Sequence, residues 1–193
     1  VARAVLGVRD PLREGAAEAV AALTARGVAV WLVSGDHAAT AAAVAREVGI
    51  AEARVRAEVR PEGKAAIVAA LQAEGARVAV VGDGVNDAPA LSQAEVGIAM
   101  GGGTDVAVAT AGVTLVRNDP RAVAEALGVA AATLRTVRQN LFWAFVYNTV
   151  GVPLAALGLL EALGGPMLAA AMMAMSSVCV VGNALRLRTA ALR

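Results

Sequence analysis

Residues 82–91 read Gly82-Asp83-Gly84-Val85-Asn86-Asp87-Ala88-Pro89-Ala90-Leu91, and this stretch decides the fold. It follows an apolar run at residues 78–81, so its acidic groups come where a buried strand ends. Open α/β folds bind their ligands at that edge of the sheet. The glycines let the backbone approach a phosphoryl group closely, and carboxylate oxygens suit Mg²⁺. The stretch therefore predicts a magnesium and phosphate site rather than a surface turn with incidental acids.

Helices and strands alternate along the first 140 residues, and glycine follows several of the helices. The predicted strands lie at residues 28–33, 55–59, 78–81, 96–99 and 113–116. The predicted helices lie at residues 10–26, 38–48, 62–74 and 121–139. This alternation predicts an α/β fold, with a parallel sheet covered on both faces. Residues 1–10 alternate apolar and polar side chains, which predicts a strand rather than a signal peptide.

Two uncharged segments follow, at residues 141–160 and 167–185, in a chain that is 58% hydrophobic. Each is close to the roughly 20 residues that cross a bilayer core, and the short connection between them predicts a helical hairpin. Arginines flank the pair: Arg135 and Arg138 precede it, and Arg186, Arg188 and Arg193 follow it. The positive-inside rule then places both ends of the hairpin in the cytoplasm of a multi-pass membrane protein. Buried core helices are the alternative.

The expected organisation is therefore a domain at residues 1–120, a stalk helix at 121–140 and a transmembrane hairpin at 141–188. A net charge of +1 and only five aromatic residues argue against nucleic-acid binding. The single cysteine excludes a disulfide framework and a Cys-x-x-Cys metal module within this sequence.

The stretch at residues 82–91 resembles the hinge motif of the P-type ATPases, ion pumps whose phosphorylation domain has the haloacid-dehalogenase fold. Three further motifs follow the family's order. Ser34-Gly35-Asp36 resembles its Thr-Gly-Asp element, Pro61-Glu62-Gly63-Lys64 resembles its conserved-lysine element, and residues 94–101 resemble the segment after the hinge. The resemblance implies a partial haloacid-dehalogenase-like sheet with flanking helices.

The resemblance also implies roles for these residues. Asp83 would bind Mg²⁺, with Asp87 as a second ligand or an anchor, and Gly82 and Gly84 would allow close approach. Lys64, the single lysine of the sequence, would supply a fixed positive charge. The remaining residues implied at the phosphoryl group are Ser34, Gly35, Asp36 and Asn86. His37 is expected to be a loop residue outside the site.

The family's phosphorylated aspartate lies in an Asp-Lys-Thr-Gly-Thr motif, and this sequence contains no such string. We expect the chain to begin inside the phosphorylation domain and to be inactive alone, with most of the ATP site elsewhere in the pump. Two alternatives are a membrane-tethered haloacid-dehalogenase phosphatase and a non-catalytic regulatory fragment. The phosphatase would need an upstream Asp-x-Asp motif, which residues 1–10 lack.

Polar and sulfur-bearing residues interrupt both apolar segments, and such residues inside membranes usually face a bundle or a transport path. They are Tyr147 and Asn148 in the first segment and Met173, Ser176 and Ser177 in the second. A thioether is a soft ligand that suits Cu(I). The pattern resembles the copper-exporting branch of the heavy-metal pumps; silver, zinc and cadmium are the alternatives. The resemblance implies partners: the lipid bilayer, the other domains and helices of the pump, and a metal ion that a metallochaperone could deliver.

Overall fold

The computed structural model describes residues 11–159 and 165–190, so the strand expected at residues 1–10 and the turn after residue 160 lie outside the described residues. The chain divides into two compact units, Val1–Glu125 and Ala126–Arg193. We call them the α/β unit and the helical unit. The α/β unit holds all the residues predicted for the phosphate and Mg²⁺ site. The helical unit holds all the residues predicted to bind the transported metal.

From residue 11 on, the α/β unit alternates five short strands with five helices before a long helix begins at Arg121. Its strands are β1 (Leu32–Val33), β2 (Val55–Arg56), β3 (Ala79–Gly82), β4 (Val96–Ala99) and β5 (Val113–Thr114). Its helices are α1 (Ala16–Ala25), α2 (Ala38–Val48), α3 (Pro61–Ala73), α4 (Ala88–Gln93) and α5 (Asp105–Thr110). Two 3₁₀ turns, Glu52–Arg54 and Val85–Asp87, precede β2 and α4. The predicted α/β class is confirmed.

All strand pairs are parallel, but the described strands form two sheets rather than one. β1 pairs with β2, and β3, β4 and β5 form a second sheet in that order. The strand predicted at residues 28–33 is shorter than its apolar run, because only its last two residues have a strand partner among the described residues. The registers Gly82↔Ala99 and Ala99↔Thr114 align the carboxyl ends of β3, β4 and β5.

Small side chains build the core of the α/β unit. One cluster centres on Ala45, Val48 and Ile50, and a second centres on Leu91, Ala99 and Ala107. Gly49 ends α2 with a left-handed φ of 84°, a conformation that glycine adopts without steric cost. Pro61 occupies the first position of α3, where its missing N–H would have no partner in any case.

The helical unit consists of most of α6 (Arg121–Ala156) and of α7 (Gly165–Ala190). Within the described residues, one stretch is long and apolar enough to cross a membrane, residues 170–187 in α7. The first segment, predicted at residues 141–160, instead forms the second half of α6, which runs on without a break from the predicted stalk. Pro153 lies inside this helix, which ends at Ala156.

On α7 a stripe of partly buried residues at helical spacing includes Met172, Ser176, Cys179 and Asn183. The first and the last of these residues contact α6. Asn183 Nδ2 donates hydrogen bonds to Gln139 Oε1 at 3.1 Å and to Asn140 Oδ1 at 2.9 Å. A Cβ on Gly151 of α6 would lie 3.8 Å from Met172 Cε, so Met172 packs on the other helix at this point.

Candidate functional site

The turn after β3 folds Asp87 back onto the end of its own strand. A Cβ on Gly82 would lie 2.6 Å from Asp87 Cβ, so only glycine fits at this position. Asp87 Oδ2 accepts the backbone N–H groups of Asp83 at 3.3 Å and Gly84 at 3.4 Å. The glycine at position 82 therefore has a local use, because its missing side chain leaves room for the carboxylate that holds the turn.

Lys64 contacts the other oxygen of the same carboxylate. Its Nζ donates to Asp87 Oδ1 at 2.7 Å, and the two side chains are only 20% and 18% exposed. Lys64 is the one lysine of the sequence, and α3 delivers it from 23 residues away. Because both of its oxygens are engaged, Asp87 anchors Lys64 and the turn. Of the two roles that the sequence left open for Asp87, second Mg²⁺ ligand or anchor, this arrangement fits the anchor.

Asp83 lies beside this pair and is about half exposed, with a side-chain exposure of 48%. Its Oδ2 accepts from Arg13 Nη2 at 2.5 Å, and its backbone carbonyl accepts the N–H of Thr104 at 2.9 Å. Arg13 also donates to Asn118 Oδ1. Sequence reasoning missed Arg13 and Asn118. Arg13 lies 70 residues before Asp83, and Asn118 lies 105 residues after Arg13. No short motif carries a signal at those separations.

Ser34 and Asp36 form a second, separate cluster in the loop after β1. Ser34 Oγ donates to Asp36 Oδ2 at 2.7 Å and accepts the backbone N–H of Asp36 at 3.1 Å. The Ser34 carbonyl accepts the N–H of Val59 at 3.0 Å, which ties this loop to the residues just before α3. Within the described part of the chain, neither side chain forms a hydrogen bond or ion pair with Lys64, Asp83 or Asp87.

Three more predicted positions have simpler surroundings. Gly35 is exposed in the Ser34 loop, and Asn86 is exposed in the 3₁₀ turn, with no side-chain hydrogen bond among the described residues. His37 Nδ1 lies 3.2 Å from Glu58 Oε1, and both side chains are largely exposed. Asn86 thus presents its amide at the edge where Asp83 lies, whereas His37 pairs with Glu58 in the segment between β2 and α3.

The donor set fits Mg²⁺ in one respect that the structure shows. Mg²⁺ is usually held by one or two carboxylates and keeps several waters, so it needs a carboxylate with access to solvent. Asp83 meets that condition: it is half exposed, and the contacts described above engage only Oδ2 of its two side-chain oxygens. Asp87 does not, because its two oxygens already accept from Lys64 and from two backbone amides.

The predicted metal donors of the helical unit do not converge. Met173 is 69% exposed and Ser177 is exposed, whereas Ser176 lies on the partly buried stripe that contacts α6. Asn148 and Ser177 bond back to their own helices, from Nδ2 to Ala144 O at 2.9 Å and from Oγ to Met173 O at 3.2 Å. The side chain of Tyr147 lies outside the described residues.

Known proteins similar to this chain contain both the α/β unit and the helical segments. The haloacid dehalogenase-like hydrolase family matches residues 2–95. A probable copper-transporting ATPase of Synechococcus elongatus is 51% identical over 96% of this chain and 25% of its own length. A copper-exporting P-type ATPase of Bacillus subtilis is 48% identical over 97% of this chain and 23% of its own length. The chain thus spans about a quarter of these relatives.

A solved structure extends the likeness to both units. It is a zinc-transporting PIB-type ATPase in its E2.Pi state, and it superposes with a TM-score of 0.83 at 39% identity. The match covers 93% of this chain and 28% of the solved one. The likeness therefore reaches beyond the hydrolase domain into the helical unit.

Proposed function

The chain belongs to the P-type ATPase family, and on that premise we propose that it forms part of an ATP-driven pump that exports a heavy-metal cation. Cu(I) is the proposed cargo. The observation that carries the proposal is the Lys64–Asp87 ion pair beside the half-exposed Asp83. This arrangement puts one fixed cation and one accessible carboxylate at a single sheet edge, which suits a phosphoryl group and its metal ion.

The residues of this edge would divide the work of phosphoryl transfer. Lys64 would neutralise negative charge on the phosphoryl oxygens. Asp87 would hold the Lys64 side chain in the orientation that this role requires. Asn86 would hydrogen-bond the phosphoryl group or the water that attacks it. Ser34, with Gly35 and Asp36, would contact the same group from the neighbouring loop. The aspartate that becomes phosphorylated would come from a motif that this sequence does not contain.

Asp83 would hold Mg²⁺, which supplies positive charge to the phosphoryl oxygens when it is bound. Arg13 contacts the same carboxylate, so it would keep Asp83 paired and oriented before the metal binds. ATP itself would bind largely to parts of the pump outside this chain.

The helical unit would supply part of the path for the transported ion. We propose that it lies in the cell membrane as a hairpin over residues 141–188, after a stalk at 121–140 and a cytoplasmic domain at 1–120. Tyr147, Asn148, Met173, Ser176 and Ser177 would contribute to the metal site. The exposure of Met173 and Ser177 supports a site completed by other helices of the pump, since neither residue lies on the stripe that contacts α6.

Cu(I) is preferred because the proposed donors include one soft thioether, that of Met173, and no charged side chain. The described part of the chain has no group of three or more His, Cys, Asp or Glu residues placed to hold a metal, whereas a thioether ligand suits Cu(I). The solved relative transports zinc by its description, so zinc is the competing cargo.

The test is phosphorylation of a full-length pump that contains this segment. We expect Cu(I) to stimulate phosphoenzyme formation from radiolabelled ATP and the purified 193-residue chain to form none. Stronger stimulation by Zn²⁺ would overturn the copper assignment alone. Phosphate release from ATP by the 193-residue chain would overturn the assignment of the nucleophile to another part of the pump.

A further inference from the structure

Arg13 joins two parts of the α/β unit that are far apart in the sequence. Its Nη2 donates to Asp83 Oδ2 at 2.5 Å, and its Nη1 donates to Asn118 Oδ1. Arg13 precedes α1, Asp83 follows β3, and Asn118 follows β5. The carboxylate that would hold Mg²⁺ therefore already has a positive charge beside it.

Asn118 holds the guanidinium group in place beside Asp83. Its amide oxygen accepts from one terminal nitrogen of Arg13, while the other terminal nitrogen donates to Asp83. A guanidinium is planar and its N–H directions are fixed, so an anchor on one nitrogen sets where the other points. The segment that carries Asn118 is tied to the sheet, because Leu115 N donates to Ala99 O at 2.9 Å. Arg13 is thus a positioned cation.

The backbone of Asp83 is held on both sides. Its N–H donates to Asp87 Oδ2 at 3.3 Å, and its carbonyl accepts the N–H of Thr104 at 2.9 Å. A Cβ on Gly103 would lie 3.0 Å from the same carbonyl oxygen, so the neighbouring backbone packs closely against it. Mg²⁺ and Arg13 would therefore have to use the carboxylate in one place.

Mg²⁺ and the Arg13 guanidinium would compete for Asp83. Both are cations, so they repel each other beside one carboxylate, and Mg²⁺ can use Oδ2 only if Arg13 gives up its charge-assisted hydrogen bond. Arg13 also orients the carboxylate, which by itself would favour a metal ion. Solvent screens the repulsion in part, because the two side chains are 45% and 48% exposed. Repulsion remains the larger effect, since Mg²⁺ carries two charges and the Asp83 backbone is held without Arg13.

We propose that Arg13 competes with Mg²⁺ for Asp83 and leaves the carboxylate when the metal binds, while Asn118 keeps its contact with the guanidinium. The inference rests on the proposed role of Asp83 as the Mg²⁺ ligand, and it adds a control on that site. Arg13 neutralises Asp83 in the metal-free state and keeps Mg²⁺ affinity low. The negative charge of a phosphoryl group would then favour the exchange of Arg13 for Mg²⁺.

The experiment derives Mg²⁺ affinity from the urea unfolding midpoint of the purified 193-residue chain in detergent at constant ionic strength. A ligand that binds only the folded chain raises its stability with concentration, so the midpoints give the half-saturating Mg²⁺ concentration. Trp31 fluorescence in a Trp143→Phe background reports unfolding of the α/β unit. We expect Arg13→Gln to tighten Mg²⁺ binding about threefold to fivefold, the size of effect that one exposed ion pair produces.

Two further variants test whether this effect is specific to Arg13. Arg117→Gln is the matched control, because it removes the same charge one residue from Asn118, from a side chain that pairs with Glu125. It should change Mg²⁺ affinity less than twofold. Asn118→Ala should tighten Mg²⁺ binding by a smaller factor than Arg13→Gln, and it should have no further effect in the Arg13→Gln chain.

Asp83→Asn separates this inference from the proposed function. Each variant is compared with itself in the absence of Mg²⁺, so a change in its basal stability does not affect the result. A Mg²⁺-dependent shift that survives Asp83→Asn, or its absence from both the wild type and Arg13→Gln, would contradict the Mg²⁺ assignment and the role of Arg13 together. If Asp83→Asn abolishes the shift, weaker or unchanged Mg²⁺ binding in Arg13→Gln would overturn the competition alone. Equal tightening by Arg117→Gln would also overturn it, because a general charge effect would then suffice.

Discussion

The α/β unit and the helical unit hold the residues of their proposed sites in opposite ways. In the α/β unit, Asp83, Asp87 and Lys64 each have a charged or backbone partner within the unit. In the helical unit, Asn148 and Ser177 bond only to their own helix backbone in the described structure, and Met173 is exposed. The charged residues of the α/β unit are therefore held by partners within this chain, whereas the proposed metal site would be completed by other helices of the pump. The contrast predicts different responses to mutation in the two units.

The largest expected effect is in the α/β unit. In a full-length pump that contains this segment, Asp83→Asn should lower the rate of phosphoenzyme formation by about 100-fold or more, a typical cost of removing one electrostatic stabiliser. Labelling with radioactive ATP measures it. Asp105→Asn removes an exposed carboxylate from the first turn of α5 and should leave labelling nearly unchanged. Normal labelling of the Asp83 variant would show that the Mg²⁺ ligand lies elsewhere.

The second effect tests the helical unit with a matched pair of methionines. Met173→Leu keeps size and hydrophobicity but deletes the sulfur, so Cu(I) affinity at the membrane site should fall about tenfold or more. Met172→Leu should behave almost as wild type, because Met172 packs near Gly151 on the other helix. A Cu(I) titration of the full-length pump compares them. Indistinguishable affinities would remove Met173 from the metal site.

The two units also differ in how much of their structure could be predicted from the sequence. In the α/β unit, the strand at residues 96–99 and the helix at 38–48 were predicted within their observed bounds, because local periodicity and glycine stops mark them. The contact between Lys64 and Asp87 joins two motifs that were expected to contribute to one site, although the contact itself was not predicted. Arg13 and Asn118 could not be predicted, since only the folded chain brings them to Asp83.

In the helical unit, composition predicted the apolar segments but not their faces. The spacing of Met173, Ser176 and Ser177 puts them on neighbouring positions of one helix face, yet Ser176 is partly buried while Met173 and Ser177 are exposed. A helix-wheel argument cannot choose between neighbouring positions without knowing the direction of the partner helix. The contact between Asn183 and Asn140 spans 43 residues and carried no local signal either.

The third effect concerns the scaffold beneath the α/β site. A Cβ on Gly97 in β4 would lie 2.6 Å from the carbonyl oxygen of Leu91, so Gly97→Ala should lower the free energy of unfolding by about 1–3 kcal/mol. Gly112→Ala is the control, because its nearest atom is 4.0 Å away. A Trp143→Phe background leaves Trp31 as the reporter in urea unfolding. Equal midpoints for the two glycine variants would mean that β4 and α4 pack less closely than described.

The smallest expected effect concerns Asp119, at the start of the helix that joins the units. Its Oδ1 accepts the backbone N–H of Arg121 at 2.9 Å, and hydrogen bonds from the Arg121 side chain and backbone hold the pKa of Asp119 below its usual 3.8. A carboxyl group whose pKa is lower in the folded state stabilises the fold above its unfolded value and loses that contribution as the pH falls through the folded one. Asp119→Ala should therefore lower the urea midpoint near neutral pH, and the difference from wild type should shrink below pH 3.8. The same difference at both pH values would mean that the carboxylate charge does not stabilise the start of α6. A change confined to Trp31 fluorescence, with Trp143 fluorescence unaffected, would show that this stabilisation stays within the α/β unit.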